Sequence, residues 1–161
     1  MLEIARRLSQ RWSLTLHAFT LEDNRRSEWG RLDFRPVFSS LGRFARRPVL
    51  LKSSLFYVCT AWRLRNRRNQ RVLATGACSC IADVIQVQFV HAAWKAVRQS
   101  QAESAHGVSG VRALYARIVE AYNLFFERAL FTPQRTYIAI SDHVAQELRT
   151  HYGLKQGVHV V

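Results

Sequence analysis

The chain has 161 residues, of which 48% are hydrophobic and 11% aromatic, and its formal net charge is +13. This length and apolar content predict one compact domain with its own core, and they exclude a disordered chain. The sequence has no apolar run long enough to cross a membrane, and its first residues lack the apolar segment and cleavage site of a signal peptide.

Apolar periodicity predicts four elements in the first half of the chain. They are, in order, a helix over 2–11, a strand over 12–20, a strand over 32–38 and a helix from Pro48 to about Arg65. Proline is favoured at the first position of a helix. The apolar stripe of this helix consists of Leu51, Leu55, Val58 and Trp62.

The second half of the chain alternates strands with helices. The predicted elements are, in order, strands over 71–77 and 82–90, a helix over 92–98, a helix over 110–132, a strand over 135–140, a helix over 141–153 and a strand over 157–161. Ser141 is a typical N-cap and Gly153 a typical C-cap. The alternation predicts an α/β, Rossmann-like fold with a mostly parallel sheet and helices on both faces.

In parallel sheets of this kind, ligands bind beyond the carboxyl ends of the strands. That rule selects the Gly76 turn, the corner from Gln88 to His91, and Ser141 after its strand. The sequence contains neither a GxGxxG motif nor a P-loop.

Three cysteines, Cys59, Cys78 and Cys80, predict reduced thiols rather than a disulfide scaffold. The CxC spacing has no second Cys or His cluster to complete a zinc site. We therefore predict no metal and no cofactor.

Arginine dominates the positive charge, and no acidic residue lies between Asp33 and Asp83. The densest part of this segment consists of Arg63, Arg65, Arg67 and Arg68, which predict a membrane- or anion-binding surface. The anion is lipid phosphate, nucleic acid or a phosphorylated substrate. Alternatively, these arginines bind no ligand and form part of the solvated surface of an arginine-rich protein.

Three runs carry motifs in a fixed order: LEIARRLSQRWSLTLHAF, ADVIQVQFVHAAW and ERALFTPQRTYIAISDHVAQELRTHYGLKQGVHVV. The last run has a Glu-Arg pair on a long helix, a strand that ends in serine, a VAxxL helix that ends in Tyr-Gly, and a VxVV strand. In this order and spacing the runs resemble the N-terminal, acceptor-side domain of retaining glycosyltransferases of family 4.

The resemblance implies that residues 1–161 form a single domain, half of a two-domain B-type glycosyltransferase fold truncated at both ends. The family's first strand and glycine-rich loop have no counterpart before the helix over 2–11. The hinge and the second domain, which holds the nucleotide-sugar donor, have no counterpart either. We therefore expect the chain to be poorly stable and to have no transferase activity by itself.

The implied function is to bind a glycan or lipid-linked acceptor during the synthesis of cell-envelope or exopolysaccharide glycans. The implied location is cytoplasmic, with peripheral attachment to an anionic membrane surface through the arginine segment. The alternative function is a basic nucleic-acid-binding module. No recognition-helix signature or RNP-like motif supports that alternative.

By the same resemblance, Gln88, His91 and Ser141 are the predicted acceptor- or sugar-binding residues, and no catalytic residue is predicted. Many family members have a histidine near the position of Gln88, whereas this chain has its histidine three residues later. An amide offers a sugar hydroxyl both a donor and an acceptor, and an imidazole can orient an acceptor hydroxyl or contact a phosphate.

Each of these residues also has a structural interpretation. His91 is then a helix cap or a satisfied core histidine, Ser141 is an N-cap, and Gln86 and Gln88 bond to neighbouring backbone. For Glu127, which precedes Arg128 on the long helix, we favour a structural role in charge pairing.

Overall fold

The computed structural model describes residues 10–18, 33–36, 48–66, 70–102 and 110–161, together with Arg7. In these ranges the elements are, in chain order, β1 Thr15–Ala18, β2 Asp33–Pro36, α1 Val49–Leu64, β3 Leu73–Thr75, β4 Val84–Val87, α2 His91–Ala102, α3 Val111–Leu130, β5 Thr136–Ala139, α4 Asp142–Tyr152 and β6 Val158–Val160. The predicted helix over 2–11 lies largely outside the described residues. The chain divides into two compact units, Met1–Trp62 and Arg63–Val161.

In the first unit, β1 and β2 form a parallel pair, with Thr15 opposite Asp33. Helix α1 begins at Val49, one residue after the predicted first position at Pro48. Three residues of its apolar stripe, Leu51, Val58 and Trp62, are exposed.

In the second unit, the four strands β3, β4, β5 and β6 form one parallel sheet in that order. The central strand β4 buries Ile85, Gln86 and Val87 in succession. Because consecutive side chains point to opposite faces of a strand, both faces of β4 are covered. The described chain therefore has the predicted α/β fold of the Rossmann-like type.

The core of this unit consists of the inner strands and the helices packed on them. Its largest fully buried side chains are Tyr137, Ile85, Leu130, Leu148, Leu154, Glu127, Val87 and Val90. Seven of these eight are apolar or aromatic, and burial of their surface stabilises the fold. The exception is the carboxylate of Glu127.

Local sequence signals fix the ends of α4. The hydroxyl of Ser141 accepts a hydrogen bond from the Val144 amide at 3.3 Å, which confirms the predicted N-cap. Gly153 ends the helix in the left-handed conformation with φ 66°, where a side chain would be strained. This capping sets the direction in which α4 leaves β5.

No helix in the described part of the chain combines the length and the apolar content that crossing a membrane requires.

Candidate functional site at the carboxyl edge of the sheet

The carboxyl ends of β4 and β5 bring two of the predicted ligand-binding segments side by side. Val87 lies opposite Ala139 in the parallel register, and the Ile140 amide donates to the Val87 carbonyl at 3.3 Å. The segment from Gln88 to His91 and the residue Ser141 follow these two strand ends. The sheet therefore places Gln88, His91 and Ser141 along the same edge.

His91 is the first residue of α2, and its side chain contacts a buried acid on α3. Its ring nitrogen Nδ1 lies 2.7 Å from Oε1 of Glu127. Its own backbone amide donates to the same oxygen at 2.8 Å. The imidazole is 27% exposed, so it is neither fully buried nor fully open to solvent.

Glu127 accepts four hydrogen bonds, although its side chain is only 2% exposed. Besides the two donors of His91, the Ala92 amide donates to Oε2 at 3.3 Å. The hydroxyl of Tyr152 donates to Oε2 at 2.6 Å. A buried carboxylate is tolerated only when its oxygens are fully bonded, and these four donors meet that requirement.

The ionisation of this group follows from its surroundings. Burial by itself raises the pKa of Glu127, but hydrogen bonds from the His91 side chain, the His91 amide and Tyr152 outweigh it, and the pKa is lowered. Burial and the adjacent Glu127 carboxylate raise the pKa of Tyr152 far above its ordinary value. Glu127 is therefore a carboxylate at neutral pH, and Tyr152 remains a phenol that donates to it.

The carboxylate also fixes the orientation of the histidine. Since a carboxylate oxygen can only accept, Nδ1 carries a proton, and the neutral tautomer that fits this contact has its lone pair on Nε2. Nε2 has no hydrogen-bond partner among the described residues. His91 is thus held in place by a buried acid, and in that tautomer Nε2 can accept a hydrogen bond from a ligand hydroxyl.

Comparison of the chain with family models, with curated proteins and with solved structures finds no match.

Two neighbours of His91 complete the exposed surface. The Phe89 ring lies 4.6 Å from the His91 ring, centroid to centroid, with the planes tilted by 59°. Phe89 and Gln88 are both exposed. An aromatic ring with a few polar groups beside it is typical of small-molecule sites in general.

Gln86 departs from the interpretation that it bonds to neighbouring backbone. It is 7% exposed, and its side-chain oxygen has no partner among the described residues. A buried oxygen without a partner is destabilising by about 1–3 kcal/mol. This cost makes Gln86 a position to test by substitution.

The arginine segment is only partly described. Arg63 and Arg65 are exposed at and just beyond the end of α1, whereas Arg67 and Arg68 lie outside the described residues. The thiols of Cys59, Cys78 and Cys80 are free. In the described ranges, no group of three or more His, Cys, Asp or Glu side chains is arranged to hold a metal ion.

Sequence reasoning named Glu127 only as a structural, charge-pairing residue, and it did not identify Tyr152. One signal was available for the acid, because Glu127 lies three residues from both Leu124 and Leu130, on the buried face of α3. A single carboxylate at the apolar spacing of a helix indicates a buried acid with partners elsewhere. No local signal identified Tyr152 as one of those partners.

Proposed function

We propose that this chain binds the sugar acceptor of a retaining glycosyltransferase at the carboxyl edge of its four-stranded sheet. The observation that carries the proposal is the contact between Glu127 and Nδ1 of His91, at 2.7 Å. It fixes the imidazole of His91 directly after a central parallel strand, where ligands of such folds bind. His91 is assigned to the acceptor hydroxyl, and Gln88 to a second hydroxyl of the bound sugar.

The resemblance of the motifs to family 4 supplies the substrate class, a glycan or lipid-linked acceptor. The nucleotide-sugar donor is assigned to a separate domain, as in that family. Ser141 is assigned a lesser role, because its hydroxyl oxygen already accepts from Val144. Its helix N-terminus still offers backbone amides to a phosphate on the acceptor.

Two substitutions at His91 separate a binding role from a structural one. In His91→Asn, the side-chain amide nitrogen is the same number of bonds from Cβ as Nδ1 is in histidine. The variant therefore keeps a donor to Glu127 and lacks Nε2. In His91→Gln, the longer side chain places its amide group at the position of Nε2. This variant therefore loses the side-chain hydrogen bond to Glu127. The first variant therefore tests the ligand contact, and the second tests the internal one.

The assay is saturation-transfer NMR of the full chain with a panel of cell-envelope oligosaccharides, with and without an alkyl phosphate at the reducing end. We expect wild-type protein to bind at least one member. His91→Asn should weaken that binding about tenfold, because the ligand loses one hydrogen bond. The melting temperature of this variant should be unchanged. His91→Gln should lower the melting temperature.

Equal binding by wild type and His91→Asn contradicts the assignment of Nε2 to the ligand. Absence of binding across the whole panel contradicts the acceptor class.

The proposal places the chain in the cytoplasm, at the inner face of an anionic membrane, with Arg63, Arg65, Arg67 and Arg68 facing lipid phosphate. Each cation near such a surface contributes about 1 kcal/mol, and salt screens the attraction. Replacing all four by glutamine should weaken binding to phosphatidylglycerol vesicles at low salt. Tight, saturable binding to short nucleic acids, with little binding to vesicles, favours the alternative of a nucleic-acid-binding module.

A further inference from the structure

Helix α3 has two apolar faces, and among the described residues only one of them is buried. Its packed face carries Leu124, Glu127 and Leu130, which are buried. The opposite face carries an exposed row at the spacing i, i+3, i+4, i+7 and i+14, which is one side of a helix. This row, here called the α3 stripe, consists of Val111, Leu114, Tyr115, Ile118 and Phe125.

Every member of the α3 stripe is exposed, with the smallest exposed fraction, 41%, at Tyr115. Val111 is 84% exposed, Leu114 60% and Phe125 66%. With a rise of 1.5 Å per residue, the stripe extends over roughly 21 Å of helix. A continuous apolar strip of this kind on a folded protein marks a surface that contacts a partner.

The charges around the α3 stripe indicate what that partner is. Arg112 and Arg117 are exposed and lie on opposite flanks of the stripe, by the 3.6-residue period. Both acids of α3 lie on its other side. Glu127 is buried, and Glu120 lies near Lys95 at 3.6 Å and near Arg98 at 3.8 Å.

We infer that the α3 stripe is a membrane-docking surface that lies in the plane of an anionic bilayer. Apolar side chains enter the acyl boundary, and the flanking arginines extend to lipid phosphates, the arrangement of interfacial amphipathic helices. An anionic bilayer has negatively charged headgroups above an apolar interior over its whole surface. Such a surface is complementary to a long apolar strip with positive charges on both sides. The inference rests on the proposed membrane location, and it assigns the apolar part of the contact to a surface other than the arginine segment.

The test is flotation of the full chain with vesicles of phosphatidylcholine, either pure or mixed with an equal share of phosphatidylglycerol. We expect binding to the mixed vesicles, weakened by salt, and little binding to the pure ones. The double variant Leu114→Ser/Ile118→Ser should lower affinity for mixed vesicles about tenfold per side chain. The variant Arg112→Gln/Arg117→Gln should lower it about fivefold per arginine at low salt.

Two valines of similar exposure provide a matched control. Val111 belongs to the α3 stripe, whereas Val161, 81% exposed, lies after β6. Val111→Ser should weaken vesicle binding, and Val161→Ser should leave it unchanged. All variants should keep the wild-type melting temperature, because the replaced side chains are exposed.

Three results overturn the inference. The first is vesicle binding that the stripe variants do not weaken, or no vesicle binding at all. The second is a lower melting temperature of Leu114→Ser/Ile118→Ser, which means that the stripe packs within the molecule. The third is a dimer, seen by light scattering and abolished by the same variant, which makes a second copy the partner. Oligosaccharide binding is measured separately, so failure of the acceptor proposal is distinguishable from failure of this one.

Discussion

Replacing Glu127 by glutamine removes a charge and one acceptor oxygen while keeping the size of the side chain. The glutamine carbonyl can take the place of Oε1 and accept from both donors of His91, at 2.8 Å and 2.7 Å in the wild type. Its amide group takes the place of Oε2, where the Ala92 amide now donates at 3.3 Å. An amide nitrogen cannot accept that bond.

The expected cost follows from these contacts. The two charge-assisted hydrogen bonds of His91 become neutral, at about 1 kcal/mol each, and the Ala92 amide loses its acceptor, at about 1 kcal/mol more. The Tyr152 hydroxyl, which donates to Oε2 in the wild type, can turn to accept from the new amide group, so this contact is kept. The free energy of unfolding should fall by about 3 kcal/mol. For a chain of this length, the melting temperature should fall by roughly 10 °C.

The loss of stability in Glu127→Gln should become smaller as the pH falls. Because the folded pKa of Glu127 is lowered from its ordinary value of 4.5, the carboxylate contributes stability above that value. The contribution is lost as pH falls through the folded pKa. The difference between wild type and Glu127→Gln should therefore be full near neutrality and should shrink below about pH 4.5. His91 and Tyr152 are the other titratable groups that contact this carboxylate.

The assay is urea unfolding followed by circular dichroism across this pH range. Glu120→Gln is the matched control, since it makes the same change on the same helix. Among the described residues, the Glu120 carboxylate has two long ion pairs, at 3.6 Å and 3.8 Å. That variant should lose less than about 1 kcal/mol. If Glu127→Gln loses no more than Glu120→Gln, the buried network does not stabilise the fold as reasoned.

The other predictions concern the neighbours of this network. Tyr152→Phe removes the 2.6 Å bond to Glu127 and should lower the unfolding free energy by about 1–2 kcal/mol in the same urea assay; wild-type stability would show that the phenol is dispensable. Gln86→Leu replaces a buried amide whose oxygen lacks a described partner, so its unfolding free energy should be equal to or above that of wild type; a loss above about 1 kcal/mol would reveal a bond to this oxygen. Ser141→Ala removes the N-cap of α4 and should lower the unfolding free energy by about 1 kcal/mol. Ser141→Asp should keep the wild-type value, because aspartate can also cap a helix; equal losses in the two variants would mean that the Ser141 hydroxyl does not stabilise the fold by capping α4.

Much of the local structure was predictable because its causes are local. The alternation of strands and helices predicted the α/β fold, and Ser141 and Gly153 predicted the two ends of α4. Such signals act within a few residues, through capping bonds and helix periodicity. The same reasoning placed Gln88 and His91 just after a buried strand, where the structure has them.

The composition of the site was decided by tertiary structure. Glu127 and His91 are 36 residues apart in the chain, and Glu127 and Tyr152 are 25 apart. No local pattern encodes these contacts, because they require α3 and the ends of α2 and α4 to pack together on the parallel strands. Packing likewise decided that Gln86 is buried and that the α3 stripe is exposed, since an apolar periodicity identifies the faces of a helix but does not determine which of them the fold covers.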